Sequence, residues 1–379
     1  MRRFFAVGEN VMKDKKKWQK YGGGIAISLL SSFVVRNIIY CIKDLEKPKQ
    51  VCILEKSKSN PPFLVPDKSY ENHMKRIVEP YVRKFEQYGT FQPEKGISIH
   101  YRKYITPNPL GHVVVSHGFC ENTEKYREVI YYFLKEGYSV YIMDHRDHGY
   151  SVRTEDDLSK VYIKKFSSYV SDFNQFMVQV VLPSTAGAPC YLYAHSMGGG
   201  IGTAILEEHP EYFDKAVLSC PMLEPNTGLT KPVAKLICNA MSAVGRSKSY
   251  VPGHKAFNKE KEFEQASAGS EERFNYYFHK CQEDKYMENS GATYGWLRAC
   301  LYGTDEILRK RNLKKITTPC IVFQAEKDKK VKPYGIIHFT NKVKNSKLIY
   351  VPNAKHELYS ASNEIQASYF NMIFSFLGG

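Results

Sequence analysis

A serine hydroxyl becomes a nucleophile when a base can take its proton and donors await the oxygen that turns negative. The run Ala194-His195-Ser196-Met197-Gly198, followed by Gly199 and Gly200, flanks one serine with small residues two positions away on either side. On a sharp strand-to-helix turn, such neighbours relieve crowding while the hydroxyl is thrust out above a sheet. The following helix aims N–H groups at that hydroxyl. His117-Gly118-Phe119 ends the earlier apolar run His112 to Ser116, so the Met197 and Phe119 N–H groups form a candidate oxyanion hole. Far downstream, Asp328 follows the apolar run Cys320 to Gln324, and His356 follows Leu348 to Val351. A serine needs a base, and the base needs an acid to hold its tautomer. Ser196, Asp328 and His356 supply that trio. Glu326 and Glu357 compete for the acid's role; Asp328 is favoured.

These residues need elements to position them. From about residue 70 the texture alternates. Ile97 to Ile105, His112 to Ser116, Tyr138 to Met143, Tyr191 to Ala194 and Ala216 to Cys220 read as strands. Lys125 to Glu136, Phe166 to Leu182 (ended by Pro183) and Gly198 to Glu208 read as helices between them. Such alternation predicts an α/β fold with a mostly parallel sheet flanked by helices. Residues 222 to 312 break the rhythm, being polar, helix-prone and without strand runs, and the rhythm returns at Cys320. The simplest organisation is a core of residues 70–221 and 313–379 with a helical cap, 222–312, inserted between late strands. All candidate catalytic residues then share the carboxyl-end rim of the sheet.

The first 66 residues stand apart. Residues 1–95 hold 19 Lys/Arg against 10 Asp/Glu, and so carry +9 of the chain's net +15. Behind lysines 13, 15, 16, 17 and 20 comes a mainly apolar stretch, about 22–42, interrupted by Arg36. Ile25 to Ile42 is about long enough to approach a bilayer crossing. Arg36 would cost roughly 2.5–3.5 kcal/mol at a membrane centre, so a helix lying on the surface or on the core competes with a crossing one. Residues 43–66 read as a linker. A basic segment beside an apolar one suggests anionic headgroups. No helix-turn-helix or RNA-binding signature supports nucleic acid as a partner. The nine cysteines are odd in number and form no C-x-x-C pair, so they read as free thiols rather than a disulfide framework or zinc site.

From about residue 85 to 377 the chain resembles the lysophospholipase and monoacylglycerol-lipase branch of the α/β hydrolases, with a likeness to bacterial lysophospholipase L2. Six segments carry the resemblance in order: His117-Gly118-Phe119, Asp144 to Ser151, Ser219-Cys220-Pro221-Met222, Thr293 to Leu297, Gln324 to Asp328 and Lys355 to Leu358. Two positions depart from the pattern, Ala194 and Asp147, each standing where glycine is usual. The resemblance implies an α/β-hydrolase fold in which the order Ser, Asp, His is the expected one. It also implies substrate contacts from His117, Gly118, His195 and Trp296, and a structural turn at His145 and His148 rather than a metal site. No cofactor and no metal are expected.

The resemblance implies a serine hydrolase that cleaves an ester of one long acyl chain, a lysophospholipid or monoacylglycerol. Aromatic residues of the cap (Phe274, Tyr276, Tyr277, Phe278, Tyr294, Trp296) and an expected N-terminal membrane anchor, which would hold the chain near lipid, are consistent with that substrate. Competing readings are a proline-type aminopeptidase, a general carboxylesterase, and a catalytically idle scaffold tethered to a membrane. Membrane association through the N-terminal segment is expected, with a cytoplasmic location as the alternative.

Overall fold

Strands whose successive side chains are all buried need both sheet faces covered. Here these are β4 (His112–Ser116), β5 (Ser139–Met143), β7 (Cys190–His195) and β8 (Lys215–Ser219), buried along nearly their whole length. A computed structural model describes residues 34–379 apart from 36, 42, 44, 186 and 261. It places those four strands in the middle of a nine-stranded sheet. The remaining strands are β1 (Cys52–Ile53), β2 (Glu86–Glu94), β3 (Ile97–Tyr104), β10 (Cys320–Ala325) and β11 (Ser346–Val351), and the order is β1-β11-β10-β8-β7-β4-β5-β3-β2. Only the β2–β3 and β3–β5 pairs are antiparallel. A separate ribbon joins β6 (Lys160–Val161) to β9 (Gly291–Ala292). The strand pleat sends Val114 into one apolar core and Val113 and Val115 into the other, so each face needs its own helices.

Those helices are α1 (Arg127–Lys135), α2 (Phe166–Phe176), α3 (Met197–Glu208), α7 (Pro333–Lys342) and α8 (Asn363–Gly378). The chain runs outward in one direction from β4 through β5 and in the other through β7, which leaves a crevice at the carboxyl ends of β4 and β7. In open α/β sheets such a switch point is where ligands bind.

Three expectations need correction. Residues 43–66 are not a free linker. Cys52 and Ile53 add a parallel edge to β11, Leu54 and Val65 are buried, and the Val65 N–H donates to the Tyr132 hydroxyl (3.0 Å). The helix starting at Phe166 does not stop at Pro183 but reaches Thr185. Met177–Val181 widen into a π-helical turn, so the ladder has already changed register where proline's N–H is missing.

The insertion, 222–312, is not all cap. It contains α4 (Lys231–Ala243), α5 (Glu271–Glu283) and α6 (Tyr294–Ile307), and it also carries β9. Helix α6 packs on α2 and α3, and its Trp296, Ala299 and Cys300 belong to the main core. Helix α5 is riveted by Arg273, whose guanidinium meets Glu128 at 2.8 Å and also Asp67. Excising the whole insertion would therefore open the core.

Of the apolar N-terminal stretch, residues 22–33, 36 and 42 lie outside the described residues. Its described remainder, residues 34, 35 and 37–41, is helical and is seated against the insertion. Asn37 Oδ1 accepts from the Thr230 hydroxyl (2.5 Å), and the buried Tyr40 hydroxyl bonds Glu224 and the Lys332 ammonium. Among the described residues, no helix is long and apolar enough to cross a membrane.

Candidate active site

Ser196 sits between the end of β7 and the start of α3 with φ 51° and ψ −119°. That is a costly conformation for a residue with a Cβ, and it persists only when its surroundings over-determine it. Here they do. Ser196 N–H donates to Ser219 O (3.1 Å), and Ser196 O accepts from Met222 N–H (2.7 Å) and Gly200 N–H (3.1 Å). The glycine two residues on is equally forced, because a Cβ at position 198 would lie 2.1 Å from Ser116 O. Ala194, the departure from glycine, is accommodated by Gly202 opposite, where an added Cβ would come within 3.2 Å of the alanine methyl.

The Ser196 hydroxyl donates to His356 Nε2 at 2.8 Å, and His356 Nδ1–H donates to Asp328 Oδ2 at 2.6 Å. A carboxylate only accepts, so this bond fixes the proton on Nδ1 and leaves Nε2 as the base. Asp328 Oδ1 takes the N–H groups of Lys330 (2.8 Å) and Val331 (3.1 Å). Burial pushes the Asp328 carboxyl up, but His356 and these two amides outweigh it and hold the group below its usual range. The competing carboxylates are occupied elsewhere: Glu326 caps the Asn353 N–H (2.7 Å), and Glu357 pairs with Lys125 (2.8 Å).

Met197 is the first residue of α3, so its N–H has no acceptor within the helix and faces the turn. Phe119 lies across the cavity above Ser196, its ring against Trp296 with centroids 4.1 Å apart and planes tilted by 37°. The loop holding Phe119 is fixed by a residue that the sequence reading missed. Buried Glu121 accepts from Gly118 N–H (2.5 Å), Tyr126 OH (2.7 Å) and Tyr359 OH (2.6 Å). Burial opposes its ionisation, yet neighbouring His195, the Lys125 ammonium and the two hydroxyls outweigh it and keep the carboxyl far below its usual range. The only sign in the sequence was an acid directly after an otherwise apolar loop.

Two expected substrate contacts are corrected. His117 is fully buried and uses both ring nitrogens: Nδ1–H donates to Gly118 O (2.8 Å) and Nε2 accepts from His145 N–H (2.9 Å). It and Gly118 shape the loop from behind and do not line the cavity. His195 and Trp296 do line it. Burial pushes the His195 imidazole down to about 4, so it is neutral at neutral pH. Asp147, the other departure, adopts φ 63°, and its carboxylate ties down Thr154 and the Tyr162 N–H. An aspartate tolerates that left-handed region better than most residues.

Among the described residues, three potential metal donors converge, Cys220, Asp328 and His356. Both His356 nitrogens are already engaged, and burial pushes the Cys220 thiol well up. Such a set holds protons rather than a cation. The cavity above Ser196 measures about 460 Å³, and its far walls are apolar: Leu229, Ile237, Val251, Tyr294, Trp296 and Leu297. That size and lining suit a small-molecule substrate.

Residues 107–363 match the family described as serine aminopeptidase, S33. The chain belongs to that family. A protein of Haemophilus influenzae named "probable lysophospholipase L2" is 27% identical over 315 residues, covering 79% of this chain and 98% of that one. Lysophospholipase L2 of Escherichia coli is 29% identical over 220 residues, 58% of this chain and 64% of its own length. A soluble variant of monoglyceride lipase from Saccharomyces cerevisiae superposes with a TM-score of 0.62 at 18% identity, over 77% of this chain and 94% of that one. The last likeness concerns the fold alone. These findings bear out the α/β-hydrolase fold and the family resemblance, and the chain is a hydrolase.

Proposed function

We propose that the protein hydrolyses carboxylic esters of a single long acyl chain through an acyl-enzyme on Ser196. The carrying observation is the Ser196–His356–Asp328 relay opening onto an apolar cavity. His356 Nε2 takes the Ser196 proton as Oγ attacks the carbonyl carbon, and the Met197 and Phe119 N–H groups receive the oxyanion. Each such donor contributes about 2.7–4 kcal/mol to the transition state. Collapse returns the proton from His356 to the departing alcohol, and water, activated by the same imidazole, releases the fatty acid. The names of the two L2 relatives support the ester reading. A peptidase reading is disfavoured because the acids lining the cavity, Glu121 and Glu357, are both engaged by Lys125, leaving neither to receive a substrate's N-terminal ammonium. The test is fluorophosphonate labelling at Ser196, followed by turnover of lysophosphatidylcholine, monoacylglycerol, short p-nitrophenyl esters and prolyl amides. Prolyl-amide turnover exceeding that of every ester would overturn the proposal.

The same reading brings the enzyme to a membrane surface. The described N-terminal helical residues Val34, Val35, Ile38 and Ile39 are exposed, and so are Leu229, Leu236 and Ile237 on the neighbouring insertion. Apolar residues in such a group bury into a headgroup boundary more readily than they stay in water. Pelleting with phosphatidylglycerol vesicles should fall severalfold in an Ile38→Asp/Ile39→Asp variant. Equal pelleting of both proteins would end this part of the proposal.

A further inference from the structure

The acid of the relay is placed by backbone. Asp328 Oδ1 accepts from the Lys330 and Val331 N–H groups, so the turn 328–331 decides where Oδ2 meets His356. That turn is paired with residues 224–226. Lys332 N–H donates to Glu224 O (2.9 Å), Asn226 N–H donates to Lys330 O (2.9 Å), and Pro225 and Val331 form an antiparallel bridge between them. The same stretch begins at the nucleophile, where Met222 N–H donates to Ser196 O (2.7 Å). Residues 222–226 and 330–332 thus set the spacing between the two ends of the relay.

A side chain from far upstream closes this pairing. Tyr40 is buried, whereas its neighbours Ile38 and Ile39 are exposed. Its hydroxyl donates to the buried Glu224 carboxylate and accepts from Lys332 Nζ (2.6 Å), and the same ammonium lies 4.7 Å from the centre of its ring. Lys332 Nζ and the Glu224 carboxylate are 3.9 Å apart, beyond hydrogen-bond reach, so the phenol links the two. The chain beyond Tyr40 stays on this side of the site. His338 Nδ1–H, on α7 directly after the acid turn, donates to Glu46 (2.8 Å). Cys52 and Ile53 then pair with β11, the strand that leads to His356. Residues 40–53 therefore brace the elements that carry both Asp328 and His356, and they lie ahead of the span 107–363 matched to the family.

We propose that Tyr40 is a positioning residue for Asp328, so that the N-terminal segment is part of the catalytic apparatus although it touches no substrate. The proposal rests on the Ser196–His356–Asp328 relay read above as catalytic. Losing the hydroxyl unties residue 224 from residue 332, and the turn that presents Asp328 relaxes. Misplacing a catalytic group by about 1 Å costs on the order of a hundredfold, and a part of that shift costs about tenfold.

The test compares the full chain with Tyr40→Phe, and with Asn371→Ala as a structural control. Asn371 on α8 ties down the N-terminal segment elsewhere, through Ser57 Oγ (2.6 Å) and Ser59 O (2.9 Å). On p-nitrophenyl butyrate, Tyr40→Phe should lower kcat about tenfold with little change in KM. Asn371→Ala should lower Tm and leave kcat unchanged. In an Asp328→Asn background, adding Tyr40→Phe should cost almost nothing further, because groups that act as a unit are not lost twice. A wild-type kcat in Tyr40→Phe, or the same loss on top of Asp328→Asn, would overturn the proposal. If Tyr40→Phe yields no folded protein, Lys332→Met removes the other end of the link and carries the same expectations. The downfield proton resonance of His356 Nδ1–H reads the geometry without turnover; it should move in Tyr40→Phe and stay in Asn371→Ala. A wild type that neither labels with fluorophosphonate nor hydrolyses ester defeats the catalytic reading. The resonance then still decides the role of Tyr40, and an unmoved signal ends it.

Discussion

Replacing Asp328 by Asn keeps shape and volume but changes which atoms can accept. The native carboxylate takes three hydrogen bonds: one from His356 Nδ1–H on Oδ2, and two from the backbone of Lys330 and Val331 on Oδ1. An amide offers one oxygen and one NH₂. If the oxygen keeps the two backbone donors, the NH₂ faces His356 Nδ1, which must then be unprotonated. The proton moves to Nε2 and points at Ser196, so the base is lost. If the amide flips to serve the histidine, two backbone N–H groups face an NH₂. Leaving two donors unpaired costs on the order of 3 kcal/mol, which favours the inactive tautomer about 150-fold. The imidazolium formed during attack also loses its counter-charge, so a total loss of about 10³- to 10⁴-fold in kcat is expected. Initial rates on p-nitrophenyl butyrate, with circular dichroism to establish folding, measure it. Retention of more than a tenth of wild-type kcat in a folded Asp328→Asn protein would falsify the tautomer argument, and an equal loss in Glu326→Gln would mean the wrong acid had been assigned.

Glu121→Gln leaves one of the partners of that carboxylate facing an NH₂, so Phe119 N–H should drift; kcat should fall roughly ten- to a hundredfold with little change in KM, read from steady-state kinetics. Gly198→Ala puts a methyl 2.1 Å from a backbone oxygen that cannot move, and should give little soluble protein or a large fall in Tm. Glu207 is buried, with one oxygen unpartnered, and burial pushes its carboxyl up to about 9. The fold therefore prefers the neutral form: its contribution is intact below the unfolded value and is lost as pH rises towards 9. Glu207→Gln should stabilise by about 1–3 kcal/mol at pH 8 and by almost nothing at pH 4, measured by calorimetry. Ile237→Trp should narrow the apolar chamber and lower the ratio of dodecanoyl to butyryl ester turnover severalfold, whereas an unchanged ratio would place the acyl chain elsewhere.

What the sequence disclosed and what it withheld divide along a physical line. The central strands were legible because burial on both faces forces an uninterrupted apolar run such as Val113-Val114-Val115, and the run's length tells a strand from a helix. Ser196, Asp328 and His356 were legible because each follows such a run, so the parallel topology had to gather them on one rim. Strand β2 was not legible. Its partial exposure, with Gly89 and Pro93 inside it and a register shift between Phe91 and Glu94, removes the alternation that marks a strand. Glu121 was missed for the converse reason. Its meaning lies in partners such as Tyr359, far along the chain, and no local pattern carries that. The insertion was misread in part because polarity averaged over 222–312 hides one apolar face: Trp296, Ala299 and Cys300 lie at near-helical spacing and were outvoted by charged neighbours. That error bears on mechanism. Helix α6 belongs to the core yet presents Trp296 to Phe119, so that side of the cavity is anchored in the core packing. Adjustment to different substrates must then fall to α4, whose Leu236 and Ile237 are exposed and whose contacts run chiefly to α6. If the acyl chain enters anywhere by displacing protein, it enters there.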